Sequence, residues 1–220
     1  MAVDVVLFDL NGTLVDQSPL AERLTELGAP KATFDAWFQR GLHSALTLSV
    51  LGETVPWQEL AETTLRTTLA KLEVNVDLAS VLELMSHLPV HADAGAALDA
   101  VAAAGGRAAV LTNSDEELAR ELLRRNGLDN RVAAVVGASD SGAYKPVPAP
   151  YRAALGKLGV SPSEAGLVAA HAWDVHGAGR AGIAAVWVDR LERTWPLPGA
   201  PPARAGGLEE AVRMLVSPRS

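Results

Sequence analysis

Four apolar runs in the sequence are each followed by polar residues that could do chemistry. Asp9 ends the first run and Thr112 the second, Lys145 comes shortly after the third, and His171 and Asp174 follow the fourth. A carboxylate held against its target is a usable nucleophile, a nearby ammonium keeps it ionised, and a second carboxylate accepts protons. Each residue alone is weak evidence because strand ends need polar turn residues. Together, in this chain order, they are much more specific.

The apolar runs themselves predict the strands of a parallel sheet that is buried on both faces. These runs are 3–10, 108–112, 133–137, 166–170 and 184–188. Helical patterns lie between them, at 92–104, 115–126, 150–158 and 175–181. Strands that alternate with helices indicate βαβ units, so the predicted fold class is α/β, with a Rossmann-like doubly wound parallel sheet. Ligands bind such sheets at the carboxyl ends of the strands, where the polar residues fall.

A helical segment interrupts this alternation after the first strand. Residues 18–88 contain no convincing buried strand and show amphipathic helical patterns at 20–27, 33–51, 57–71 and 78–87. We therefore expect a core domain of residues 1–15 and 89–220, and a helical cap domain of residues 16–88 that lies over the end of the first strand. The Pro- and Gly-rich segment 195–205 is interpreted as a loop, and 209–215 as a last short helix.

Composition excludes several classes of protein. The chain has 220 residues, of which 49% are hydrophobic and 20% charged, so it is globular rather than disordered. A net charge of −7 argues against a nucleic-acid or anionic-membrane partner, and the absence of cysteine excludes disulfides and thiolate metal sites. No run is long enough to span a membrane, and the beginning Met1-Ala2-Val3-Asp4 is unlike a secretory signal, which leads us to expect a cytoplasmic protein.

The chemistry-bearing residues lie in segments that resemble the four motifs of the haloacid dehalogenase superfamily. The first motif ends a strand in a nucleophilic aspartate and continues x-x-Gly-Thr, here FDLNGTLVD with Asp9 and Thr13. The others are a strand ending in Ser or Thr (AVLTNS), a lysine before a proline (YKP, Lys145) and an acidic loop after a strand (AAHAWD, Asp174). The resemblance covers nearly the whole chain, and it implies the α/β core and the helical cap.

Two departures from the superfamily's phosphatases argue against phosphoryl transfer. Phosphatases carry a second aspartate two residues after the nucleophile, and this chain has Asn11, which cannot transfer a proton. They also carry an aspartate four residues before the last motif acid, where this chain has Ala170. Because a hard divalent cation needs several oxygen ligands, the resemblance implies neither a metal ion nor another cofactor.

The metal-independent 2-haloacid dehalogenases are a closer match. They commonly read Ala-Trp-Asp in the last loop, and they pair the motif lysine with a tyrosine six positions on, as Lys145 and Tyr151 are spaced here. Position 171, often asparagine in that branch, is His171. In the branch a cap arginine directly follows a tryptophan. Here Phe38 follows Trp37, and Arg40, two residues further on, is the candidate for the role of that arginine.

This resemblance implies a reaction and a role for each residue. Asp9 would displace halide from a small 2-haloacid, and water would hydrolyse the resulting ester with Asp174 as base, His171 being a candidate assistant. Lys145 would keep Asp9 ionised, and Thr13 would donate a hydrogen bond to it. The remaining candidates are substrate-binding residues: Asn11, Thr112, Asn113, Arg40, Phe38, Tyr151, His171 and Trp173.

Two other functions stay open at this stage. One is a Mg²⁺-dependent phosphatase of the same superfamily, and the other is a catalytically degenerate member that binds a small molecule. Members of the dehalogenase branch often dimerise, so the resemblance also allows a homodimer. The halogen, the acid and the stereochemical preference depend on cap residues that the sequence does not place.

Overall fold

The computed structural model describes residues 3–216 and contains a six-stranded sheet in which every pairing is parallel. The strands run in the order β3-β2-β1-β4-β5-β6, so neighbouring strands are joined by crossovers on both sides of β1. This confirms the predicted α/β fold with a Rossmann-like sheet. The strands are β1 Val5–Phe8, β2 Arg107–Leu111, β3 Ala134–Val136, β4 Ala165–Ala169, β5 Ala184–Val188 and β6 Arg204–Ala205.

Nine helices accompany these strands within residues 3–216. They are α1 Ser18–Glu26, α2 Thr33–Leu51, α3 Trp57–Lys71, α4 Leu78–Leu84, α5 Ala94–Ala103, α6 Glu116–Arg125, α7 Pro148–Leu158, α8 Ala172–Arg180 and α9 Leu208–Val216. Two sequence interpretations are wrong in detail. The segment 195–205, interpreted as a loop, ends in the edge strand β6, and α8 begins at Ala172 rather than at 175.

The sheet is buried on both faces, which explains why its strands are apolar without interruption. Successive side chains of a strand point to opposite faces. Val6 and Phe8 accordingly join a core with α5, α6, α9 and the cap, whereas Val5 and Leu7 join a second core with α7 and α8. The cores on the two faces hold the carboxyl ends of β1, β2 and β4 in register.

Helices α1 to α4 lie between β1 and α5 in the chain, where the cap was predicted. The two connections to this segment run side by side, since Val15 pairs with Val90 and the Asp16 amide donates to the Pro89 carbonyl over 2.9 Å. Asp115, at the start of α6, accepts hydrogen bonds from the amides of Trp57 and Gln58 at the start of α3. This arrangement supports domain boundaries at 15/16 and 88/89, which remain a prediction.

Of the helices within residues 3–216, none has both the length and the apolar character that a membrane span requires.

Candidate active site

Asp9 lies directly after β1 and is only 4% exposed. Its Oδ1 accepts a hydrogen bond from Lys145 Nζ over 2.9 Å. Its Oδ2 accepts one from Thr13 Oγ1 over 2.8 Å and lies 3.0 Å from His171 Nδ1. The Thr13 hydroxyl itself accepts a hydrogen bond from the Ala170 amide over 2.9 Å, which directs its proton toward Asp9. The structure thus brings predicted residues from three separate motifs onto one carboxylate.

Lys145 is fully buried at the centre of this group. Besides Asp9, its Nζ donates to Asp174 Oδ2 over 2.5 Å and to the Leu111 carbonyl over 2.7 Å, so each ammonium proton has an acceptor. The Asn113 side chain fixes the backbone of Lys145, because its Oδ1 accepts from the Lys145 amide and its Nδ2 donates to the Lys145 carbonyl. Asn113, predicted to bind substrate, therefore contacts the lysine loop.

Charge pairing sets the ionisation of Asp9 and Lys145. Burial by itself raises the pKa of the Asp9 carboxyl, but the Lys145 ammonium and the hydrogen bond with His171 outweigh burial and bring the pKa well below its usual range. Burial likewise lowers the pKa of Lys145, but the carboxylates of Asp174 and Asp9 raise it above its ordinary value of 10.5. Asp9 is therefore a carboxylate and Lys145 a cation throughout the neutral range.

Asp174 lies in the first turn of α8 and is fully buried behind Lys145. Its Oδ1 accepts a hydrogen bond from the Tyr151 hydroxyl over 2.6 Å. Burial and the Asp9 charge raise the pKa of Asp174, against the opposing effect of Lys145. Burial and the Asp174 charge raise the pKa of Tyr151 well above 10.0, so the phenol keeps its proton. Tyr151, predicted to contact substrate, instead holds Asp174 from within the core.

His171 connects the core to the cap through its ring faces. Phe38 of α2 stacks on one face, with ring centroids 5.2 Å apart and planes at 13°, and Trp173 stacks on the other at 5.0 Å and 28°. The Trp173 ring also lies 5.7 Å from Lys145 Nζ. Only the edge of the imidazole is therefore available for polar contact, and its Nδ1 edge faces Asp9.

The remaining predicted residues divide between the site and its surroundings. Asn11 Nδ2 donates to Ser114 Oγ over 2.8 Å, and the Ser114 amide donates to Thr112 Oγ1 over 3.1 Å. Thr112 is 1% exposed and therefore supports this turn from inside. The Arg40 side chain is bound within the cap, where its Nε donates to Thr68 Oγ1 on α3 over 3.0 Å.

A largely apolar cavity lies between the cap and the Asn11–Ser114 pair, with about 480 Å³ of empty space counting the part open to solvent. Its lining, as far as residues 3–216 form it, includes no charged side chain. Phe38, which lines the cavity, also stacks on His171. The lining residues are Asn11, Gln17, Leu20, Phe34, Trp37, Phe38, Gly41, Trp57, Ala61, Thr64, Met85, Leu88, Ser114 and Leu118. Sequence reasoning missed most of this set. The cap tryptophans and phenylalanines were the available signal, since aromatic side chains commonly line small-molecule pockets.

The donor set beside Asp9 does not fit a divalent cation. Within residues 3–216, no three His, Asp or Glu side chains lie together in a way that could hold a metal ion. The carboxylates of Asp9 and Asp174 already share the Lys145 ammonium, and position 170 is an alanine. A hard cation prefers several anionic oxygen ligands, so the arrangement favours chemistry by the side chains themselves.

Gly177 of α8 allows Tyr151 to approach Asp174, and we expect Gly177→Ala to disrupt this contact. A Cβ at this position would lie 2.5 Å from the Tyr151 hydroxyl and 2.7 Å from Pro146 Cβ. We expect a loss of about 1–3 kcal/mol in the free energy of unfolding, measured in urea, because overpacking displaces buried groups. Gly179→Ala in the same helix is the matched control. Apart from its chain neighbours and the backbone of its own helix, no atom of residues 3–216 lies within 4 Å of a Cβ at this position, so Gly179→Ala should stabilise by roughly 0.5–1 kcal/mol. Equal effects at the two positions would contradict the close-packing argument.

Comparison with known proteins gives a consistent result. The model of the haloacid dehalogenase-like hydrolase family matches residues 3–182. The (S)-2-haloacid dehalogenase 4A of Burkholderia cepacia is 31% identical over 84% of this chain and 82% of its own length. A phosphoglycolate phosphatase of Colwellia psychrerythraea is 32% identical over 71% of each chain. The crystal structure of an L-2-haloacid dehalogenase has the same fold, with a TM-score of 0.92, 23% identity, and 98% and 99% of the two chains covered.

Fold and site together define a hydrolase that presents an ionised aspartate at the carboxyl edge of a Rossmann-like sheet, beneath a helical segment. The chain belongs to the haloacid dehalogenase-like hydrolases.

Proposed function

We propose that this protein hydrolyses the carbon–halogen bond of a small 2-haloacid through a covalent ester on Asp9, without a metal ion. The observation that carries the proposal is the buried Asp9 carboxylate, which is kept ionised by Lys145 and shares this ammonium with Asp174. The relative from Burkholderia cepacia, a 2-haloacid dehalogenase, supports this substrate class. We further propose a cytoplasmic location and a homodimer, which cell fractionation and light scattering would test.

In the first step, Asp9 attacks the carbon that bears the halogen and halide leaves with the bonding electrons. A carboxylate is a weak nucleophile, so the site must supply orientation, and holding the reactants in line can contribute roughly 7–11 kcal/mol. Lys145 and Thr13 each hydrogen-bond one oxygen of the carboxylate and so fix its plane.

In the second step, water attacks the carbonyl carbon of the ester, which restores Asp9 and releases a 2-hydroxy acid. This step needs a proton acceptor, and we assign that role to Asp174. Among residues 3–216, its Oδ1 and Oδ2 each accept one hydrogen bond, so each keeps a lone pair, and its raised pKa favours proton uptake.

The acid group of the substrate is expected to bind at the side of the cavity that the core domain forms. No charged side chain of residues 3–216 lines the cavity, and Arg40 is hydrogen-bonded to Thr68. Asn11 and Ser114 are the neutral polar groups that face it from the core side. Direct binding of the acid by Arg40 remains a prediction, and it requires this side chain to leave Thr68.

The test is halide release in EDTA from 2-chloropropionate, 2-bromopropionate and chloroacetate. We expect release to be unaffected by EDTA and to favour one enantiomer of 2-chloropropionate. Phosphate release from p-nitrophenyl phosphate that requires Mg²⁺, with no halide release, would instead support the phosphatase alternative, which the Colwellia psychrerythraea relative favours. Neither activity, with a rise in melting temperature on adding a 2-haloacid, would support a binding protein.

The pH dependence of kcat, which includes hydrolysis of the Asp9 ester, should show a single acid limb in the ordinary working range. The pKa of Asp174 is raised above 3.8, so protonation of this base should reduce activity at a pH above that value. Asp9, with a lowered pKa, stays ionised there, and Lys145, with a pKa raised above 10.5, stays charged up to that pH. We therefore expect a plateau that extends from the acid limb into the alkaline range. An acid limb at or below pH 3.8 would contradict the role of Asp174.

A further inference from the structure

The two oxygens of Asp9 are not equivalent in this structure. A carboxylate oxygen has two lone pairs. At Oδ2 both are engaged, one by the Thr13 hydroxyl and one by His171 Nδ1. At Oδ1 only Lys145 Nζ donates within residues 3–216, so one lone pair is free. Since attack on carbon requires a free lone pair, Oδ1 is the nucleophilic oxygen and Oδ2 is left as the carbonyl oxygen of the ester.

The contact between His171 and Asp9 has a defined direction. An ionised carboxylate only accepts hydrogen bonds, so Nδ1, at 3.0 Å from Oδ2, must carry the proton. Phe38 and Trp173 cover both ring faces and hold the imidazole in the plane that aims Nδ1 at Oδ2. The donor is thus already aligned before substrate enters.

We propose that His171 is a further catalytic residue, which with Thr13 forms an oxyanion site at Asp9 Oδ2. The inference rests on the proposed function, because it concerns hydrolysis of the Asp9 ester. When water adds to Cγ, the electrons of the C=O bond move onto Oδ2, which both donors already face. Fixed donors of this kind stabilise developing charge without reorganisation.

The remainder of the step follows from this placement. The tetrahedral species collapses by breaking the Cγ–Oδ1 bond, and Oδ1 leaves as the hydroxyl oxygen of the product. One water proton ends on that hydroxyl and the other in solvent, while the water oxygen stays in Asp9. His171 gives up no proton in this sequence, which distinguishes it from a base.

Substitutions at His171 distinguish a role as hydrogen-bond donor from a role as general base. Asparagine places its Nδ2 the same number of bonds from Cβ as histidine places Nδ1, so His171→Asn keeps a donor and cannot act as a base. His171→Leu has a similar reach and no donor. We expect His171→Asn to stay within about tenfold of the wild type. We expect His171→Leu to lose about 10²–10³-fold in steady-state turnover, as removal of one oxyanion donor typically does.

A rapid-mixing experiment with 2-chloropropionate identifies the step that is slowed. Halide release is measured, and the protein adduct is detected by intact-protein mass spectrometry. His171→Leu should release one halide per site in a burst and accumulate a protein adduct on Asp9, because only ester hydrolysis is slowed. Thr13→Val should behave similarly, and Thr13→Ser should be close to the wild type. The Thr13 pair also tests the proposal if His171→Leu does not fold.

Three results would overturn the inference. If His171→Asn is as defective as His171→Leu, the ring transfers a proton rather than donating a fixed hydrogen bond. If folded His171→Leu turns over normally, or loses the halide burst together with turnover, the residue does not act on the ester. In each of these cases the wild-type enzyme still releases halide, so the proposed function survives. Absence of halide release from the wild type would contradict both the proposed function and the role of His171.

Discussion

Asp9→Asn is expected to reduce halide release by at least about 10⁴-fold, since loss of a covalent nucleophile has effects of this order or larger. The amide lacks the negative charge that attacks carbon, and it leaves Lys145 with Asp174 as its one carboxylate partner among residues 3–216. Release should be measured with an ion-selective electrode at saturating 2-bromopropionate in EDTA.

The matched control for this change is Asp35→Asn, which alters the same residue type at an exposed position of α2. It should leave halide release unchanged. An Asp9→Asn protein that is folded by circular dichroism and retains a tenth of the activity would show that another group attacks the substrate.

Lys145→Met is expected to be the most destabilising single change at the site. It removes the cation that lies between Asp9 and Asp174, and the Lys145 side chain is fully buried. Removing one partner of a buried ion pair typically costs 3–5 kcal/mol, because the remaining charge is left uncompensated. Chemical denaturation at pH 7 should show a loss of about this size, together with loss of halide release.

Two further variants test whether the loss of charge causes the destabilisation by Lys145→Met. Lys71→Met, at the exposed end of α3, should change the free energy of unfolding by less than about 0.5 kcal/mol, as surface substitutions usually do. Adding Asp174→Asn to Lys145→Met should recover part of the loss, because it removes one of the two uncompensated carboxylates. A loss below 1 kcal/mol for Lys145→Met would contradict the electrostatic account.

The charge state of Lys145 also determines the pH range over which the ion pair stabilises the protein. Because its pKa is raised above 10.5 in the folded protein, its contribution is complete below pH 10.5 and is lost as the pH rises through the folded-state value. For Asp9, whose pKa is lowered, the contribution is present above pH 3.8 and is lost as the pH falls below it.

Much of the core was predictable because buried parallel strands leave a direct signal. Their uninterrupted apolar runs located β1 to β5, and the polar residues after them located Asp9, Lys145 and Asp174 at one edge of the sheet. β6 was missed because two residues, Arg204–Ala205, are too short to produce such a run within a Pro- and Gly-rich segment. The start of α8 was missed because Ala172 and Trp173 follow the apolar strand without a breaker.

Side-chain direction was the harder part of the prediction. Tyr151 and Thr112 have the right spacing, but both are buried within the core and support other residues rather than facing the cavity. The face that a cap helix presents to the core depends on how it docks. The sequence therefore did not reveal that Trp57 lines the cavity while Arg40 turns toward Thr68.

The covalent role of Asp9 is tested most directly by one turnover in water labelled with oxygen-18, with enzyme in excess over 2-bromopropionate. If an ester forms on Asp9 and water attacks its carbonyl carbon, the label enters the peptide that contains Asp9, and the hydroxy acid carries unlabelled oxygen. Label found in the hydroxy acid, with none in that peptide, would mean that water attacks the substrate carbon directly.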